Sequence, residues 1–135
     1  MTMSTPIETS TADEELSPPL GDLLLKAATN PRDQAAVRAL VEEGRLLARK
    51  RFWTALVVER NGEQACNWEG MAGKVYTLGL DTDERAFLGL VLSIVGVRQS
   101  ALACVEELDE RQLAAVLRAM VRLSPSDSIA VGTRI

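Results

Sequence analysis

Between Asp81 and Gly96 the chain carries Phe87, Leu88, Leu90, Val91, Leu92, Ile94 and Val95, interrupted only by Gly89 and Ser93 over that apolar run. Wound as a helix, such a segment has almost no polar side, so neighbouring elements must surround it. Asp81-Thr82-Asp83-Glu84 reads as its start: Asp81 as cap, Glu84 three positions on in capping-box relation, and acids at the positive end of the helix dipole. Gly96 breaks it. A buried strand is the rival reading, but the length and the capping signal favour a helix. The longest greasy stretch, Ala86 to Val97, falls well short of the roughly 20 residues that span a bilayer, so no transmembrane segment is expected.

What surrounds that helix follows from length and composition. The chain has 135 residues, 47% hydrophobic but only 4% aromatic. One core is the expectation at this length. It must be filled by Leu, Val, Ala and Ile, which suits closely approaching helices better than a sandwich built on aromatic cross-strand pairs. The predicted fold is all-α, a bundle of about five helices around the central one, with a minor β-hairpin near Trp53-Trp68 as an open option.

The other helices announce themselves by their ends. Ser17-Pro18-Pro19 opens a short helix through Leu23, Leu24 and Ala27, stopped at Thr29-Asn30 because residues before Pro31 are pushed away from helical angles. Asn30-Pro31-Arg32-Asp33 then combines a capping side chain, Pro at the first helical position and an acid in the first turn. From there Val37, Leu40, Val41, Gly44, Leu47, Ala48, Phe52, Ala55 and Leu56 recur at three- and four-residue steps. That periodicity predicts one helix continuing past Gly44, with Arg38, Glu42, Arg45 and Arg49 on its solvated side.

After Arg51 the signals conflict. Trp53 to Val58 is β-branched enough for a strand, and Asn61-Gly62 is the favoured turn of a tight hairpin. The weak strand character of Gln64-Ala65-Cys66 tips the reading to helix. Gly70 to Gly79 is a glycine-punctuated connection with a short extended segment around Val75. Val97, Ala101, Cys104, Val105 and Leu108 resume helical spacing. Asp109 with Gln112 forms another capping box, launching a helix with Leu113, Val116, Leu117 and Met120 as its buried seam. Ser124-Pro125 ends it, and Ile129-Ala130-Val131 either adds a small strand or folds back. The organisation expected is an acidic disordered tail over residues 1–16, a helical domain over 17–124, and a tail or short strand over 125–135.

Charge and residue type remove whole classes of function. Glu8, Asp13, Glu14 and Glu15 lie in a basic-free stretch, so the remaining acids match the 15 bases and the folded part is formally neutral. A phosphate-binding surface normally shows a basic excess. There is no histidine, which excludes mixed Cys/His zinc sites and every Ser-His or Cys-His pair. Cys66 and Cys104 read as two buried thiols, and no metal or cofactor is expected. Gly73-Lys74 fails as a phosphate loop, since Trp68 and Val75 stand where glycine and a hydroxyl are needed. The pairs Glu42/Glu43 and Glu106/Glu107 point about 100° apart on a helix and cannot flank one substrate bond. An enzyme would need buried carboxylates to meet Lys74, Tyr76 or a cysteine; no catalytic residue is assigned and no enzymatic activity is expected.

The most distinctive local feature is Arg45, Arg49, Lys50 and Arg51 followed by Phe52 and Trp53, a candidate partner-binding patch. Arg and Trp together dominate protein-binding hot spots. Alternatively, the arginine stems only cover apolar surface while Phe52 and Trp53 enter the core. The expected function is a small non-enzymatic protein working through protein–protein interaction, as an adaptor, a regulator or a self-associating module, with a protein partner or a second copy as its ligand. The alternative is a helix-turn-helix DNA-binding regulator around Gly96-Val97, with Arg98 and Gln99 opening the recognition helix and Glu106 and Glu107 opposing phosphate. The opening residues lack a basic, apolar leader, so the cytoplasm is the expected compartment. Arg outnumbers Lys twelve to three, a bias associated with bacterial coding.

Overall fold

The computed structural model describes residues 19–132 and Arg134. The tail expected over residues 1–16 and the Ser17-Pro18 start lie outside them. The described residues form a mainly α fold with one small antiparallel hairpin. The elements run α1 (Leu20–Ala27), α2 (Pro31–Glu43), α3 (Lys50–Leu56), β1 (Val57–Arg60), β2 (Glu63–Cys66), α4 (Trp68–Ala72), α5 (Thr82–Val95), a 3-10 helix (Leu102–Glu107) and α6 (Glu110–Leu123). None of these helices is long and apolar enough to cross a membrane.

Helix starts follow the capping chemistry. The Asn30 side chain accepts from the Asp33 N–H at 2.9 Å with Pro31 at the first position. Glu84 Oε1 accepts from the Asp81 N–H at 2.9 Å. Gln112 and Asp109 close the last box in both directions, at 2.9 and 2.8 Å. Each side chain satisfies an amide that the first helical turn leaves without a partner.

The long apolar helix α5 is the central element, packed against α2, α4, α6 and the 3-10 helix. Phe87, Leu88, Val91 and Leu92 on it are fully buried, as the absence of a polar side requires. The Gln112 to Asp83 and Arg111 to Glu42 bonds bring the first turns of α5 and α6 to the end of α2. Pro31, at the start of α2, shares a hollow with Val95 and Leu123 at the far ends. Helix α2 therefore runs antiparallel to both. Its contact with α6 is the most extensive between helices, and both bury alanines: Ala35, Ala36 and Ala39 on α2, Ala115 and Ala119 on α6.

Several expectations are corrected. The helix begun at Pro31 does not continue past Gly44; Gly44 takes φ 78°, a left-handed position, and ends it. The buried Glu43 side chain then accepts from the backbone N–H of Arg45 at 2.9 Å and of Leu46 at 3.0 Å, which fixes the turn. The apolar period survives because the turn returns the chain to the same core as α3.

Between Trp53 and Trp68 the hairpin held as the open option forms, and the helix that weak strand propensity favoured does not. Helix α3 stops at Leu56 and a hairpin follows, Val57 paired with Cys66 and Arg60 with Glu63. Asn61 (φ 52°) and Gly62 (φ 79°) both occupy the positive region that a two-residue turn requires. The weak strand propensity of Gln64 and Ala65 yields to tertiary burial, since Cys66 and Trp68 both enter the core. The connection from Gly70 to Gly79 contains the short helix α4 and turns rather than an extended segment.

The helical spacing from Val97 to Leu108 produces only the 3-10 helix from Leu102, with no fully buried residue. On α6 the buried face is Gln112, Ala115, Val116 and Ala119. Of the predicted seam only Val116 is covered, because alanine-lined helices approach closely along a neighbouring stripe. Ile129-Ala130-Val131 forms no strand; Arg118 Nε donates to Val131 O at 3.1 Å, folding these residues back over α6.

A Cβ on Gly44 would make only ordinary contacts, with Arg111 Nη2 at 3.5 Å and Val41 O at 3.6 Å. Gly44→Ala is therefore expected to lower stability by about 1–2 kcal/mol through the left-handed backbone alone, read as a lower urea midpoint with an unchanged slope.

Candidate functional site

Of the predicted patch, Arg45, Arg49, Lys50 and Arg51 are exposed and Trp53 is half-buried. Arg45 and Arg49 belong to the turn after α2, and both are held in ion pairs. Arg45 Nε pairs with Glu43 Oε2 at 2.9 Å and its Nη2 with Asp109. Arg49 Nη2 pairs at 2.6 Å with Glu84 Oε2, whose side chain is buried. Charge-assisted bonds of this kind offset the desolvation of the acid, so removing the arginine would strand it. Phe52 is buried and Trp53 half-buried, so the aromatic pair serves chiefly the packing of α3. Trp68 is buried as well.

Lys50 and Arg51, exposed like Arg45 and Arg49, make no ion pair among the described residues. Arg51 Nη2 donates to Thr77 O at 3.0 Å, which ties α3 to the loop following α4. Lys74, read from sequence only as a failed phosphate-loop lysine, lines the same hollow as these two.

The expected start of a recognition helix has a different form. Arg98 and Gln99 lie in the loop between α5 and the 3-10 helix. The Arg98 guanidinium sits 5.5 Å from the Tyr76 ring centre and that of Arg85 5.8 Å from it. Arg85 also donates to Leu80 O at 2.8 Å. Two cations against one exposed ring each gain a modest attraction from its π face.

Both cysteines are free. Burial pushes the Cys66 thiol up to about 12, with Asp33 adding to the shift and Arg60 opposing it. That thiol stays protonated at neutral pH and cannot serve as a nucleophile. Cys104 is half-buried, not the buried thiol expected.

The surface that sequence reasoning missed is on α6. Arg111 Nε donates to Glu42 O at 3.0 Å, Arg118 Nη1 meets Glu42 Oε1 at 3.4 Å, and Arg122 Nη2 meets Glu42 Oε2 at 2.6 Å. All three arginines turn toward α2. The opposite flank, with Leu113, Leu117 and Met120 at 36%, 38% and 48% exposure, carries no charge beyond Glu110 at its start. Alanines at 115 and 119 were the available signal, since small residues mark the side on which two helices approach closely.

No family model matches the chain, and no curated protein or solved structure matches it either.

Two outcomes follow from this chemistry. Burial raises the Asp109 carboxyl, but the Gln112 N–H, the Arg45 guanidinium and the Arg111 N–H together outweigh it and hold its pKa below the ordinary value. A depressed folded pKa contributes stability above the unfolded pKa of about 3.9 and loses it as pH falls through the folded value. Asp109→Asn should therefore be less stable than the parent at pH 7, with the gap closing in acid, as followed by urea midpoints against pH. Iodoacetamide at pH 8 should label Cys104 on the native chain and spare Cys66 until urea is added, as read by peptide mass spectrometry.

Proposed function

We propose that this chain is a small non-enzymatic protein that acts through protein–protein association, and that the apolar flank of α6 is its contact surface. The observation that carries this reading is the exposure of Leu113, Leu117 and Met120 on a helix whose arginines all point the other way. The three apolar residues follow at steps of four and three, the spacing of a helix–helix seam. An apolar stripe of this kind gains by burial, at roughly 25 cal/mol per Å².

The occupant that fits best is α6 of a second copy. A two-fold contact places the same surface on both sides, and because the flank's one charge, Glu110, lies at its start, antiparallel copies hold the two acids at opposite ends. Antiparallel packing centred on Leu117 would bring Leu113 of one copy toward Met120 of the other. Self-association of this kind makes the protein a regulator or adaptor whose activity depends on its concentration.

Light scattering on a size-exclusion column should return a dimer mass that falls on dilution. Leu117→Glu should weaken that dimer by at least about tenfold, since it replaces a burial of roughly 1.5–3 kcal/mol by a charge, while leaving the far-ultraviolet circular dichroism unchanged. A parent chain that remains monomeric at every concentration defeats this reading.

A further inference from the structure

We propose a second docking site, one that receives an acidic peptide segment of a protein partner, in the hollow between α3 and the loop after α4. It shares no residue with the flank of α6. Lys50 and Arg51 on the first turn of α3 and Lys74 beyond α4 stand around a shallow depression of about 700 Å³, lined between them by Ala55, Thr77 and Leu78. None of its lining residues is a carboxylate.

These three cations differ from the four ion-paired arginines of the described residues in what holds them. Arg45, Arg49, Arg118 and Arg122 are consumed by Glu43, Asp109, Glu84 and Glu42. Among the described residues Lys50 and Lys74 make no side-chain hydrogen bond and no ion pair, and Arg51 is steadied only by the carbonyl of Thr77. That carbonyl bond orients the guanidinium without neutralising it. The hollow therefore combines uncompensated positive charge with an apolar lining.

Charge complementarity selects the occupant. Carboxylates reach Lys50, Arg51 and Lys74, and an aliphatic side chain between them covers Ala55 and Leu78, so a short segment such as Glu-Asp-Leu-Glu-Asp satisfies both parts at once. A nucleic-acid strand fits less well. No aromatic ring lines the depression to stack a base, and three cations around one hollow are too few to follow a long phosphate backbone. A membrane surface would require a broader basic face than three side chains.

The test is fluorescence anisotropy of the full chain with a dye-labelled Glu-Asp-Leu-Glu-Asp peptide at low salt. Three comparisons accompany it: the Leu→Ser peptide, a labelled 15-nucleotide oligo-dT, and the Lys50→Glu/Lys74→Glu protein, whose substitutions touch no folded-state bond. The expected result is saturable peptide binding, weakened about two- to fivefold per lysine in single alanine variants, abolished in the double variant and reduced by the Leu→Ser change. Binding should also fall with added salt. Absence of saturable peptide binding overturns the proposal, as does undiminished binding to the double variant. So does oligo-dT binding as tight as the peptide and lost in that variant, which would make the hollow a phosphate site. The dimer mass of the double variant separates the two readings: it stays that of the parent whether or not the peptide binds.

Discussion

A buried carboxylate governs the turn on which the architecture depends. Glu43 is the last residue of α2, and its side chain accepts the amides of Arg45 and Leu46 while pairing with the Arg45 guanidinium. Three bonds to one acid fix the turn after Gly44. The same arginine reaches Asp109, which caps α6, while Gln112 in that cap reaches Asp83 in the first turn of α5. Arg49, five residues after Gly44, holds Glu84 of the α5 cap. The end of α2 and the beginnings of α5 and α6 are thus joined by a run of polar contacts from Glu43 to Asp83 and, beside it, by the Arg49–Glu84 pair. Glu43, Glu84 and Gln112 are fully partnered, as buried polar groups must be.

These contacts explain why the obvious basic run is divided. All four of its cations are exposed, but two are ion-paired to acids of the fold, and the two that are not join a lysine from a distant loop. A contiguous sequence patch becomes two structural roles because a tight turn, not a helix, carries Arg45 and Arg49. On α6 a parallel division occurs: Glu42 gathers the arginines on the α2 side, and the apolar residues left on the other flank face solvent. Both candidate contact surfaces are what remains after internal pairing has drawn charge elsewhere.

Much of the fold was legible locally. The Asn30-Pro31, Asp81/Glu84 and Asp109/Gln112 signals mark helix starts because capping involves residues three apart, whose geometry depends little on the rest of the chain. The burial of Phe87 to Leu92 follows from the lack of any polar side. The errors arose where two local readings were equally good. Gly44 could lie within an apolar helix or end one, and periodicity favours the former; Asn61-Gly62 could close a hairpin or a helix, and the weak strand character of Gln64 and Ala65 favours the helix. Periodicity misleads at Gly44 because the turn returns the chain to the same core, and propensity misleads at the hairpin because burial of Cys66 and Trp68 outweighs it.

The sequence by itself determined where helices begin, which one must be enclosed, and that the chain lacks histidine and hence imidazole chemistry. Those properties reside in side-chain type and short-range spacing. Only the tertiary structure decided which charges are spent and which apolar residues stay outside. Glu43 meets Asp109 through Arg45, and Glu42 meets Arg122, across more than sixty positions of sequence. The stripe of α6 that is buried depends on how closely alanines let α2 approach, a property of two helices together that neither one's pattern contains.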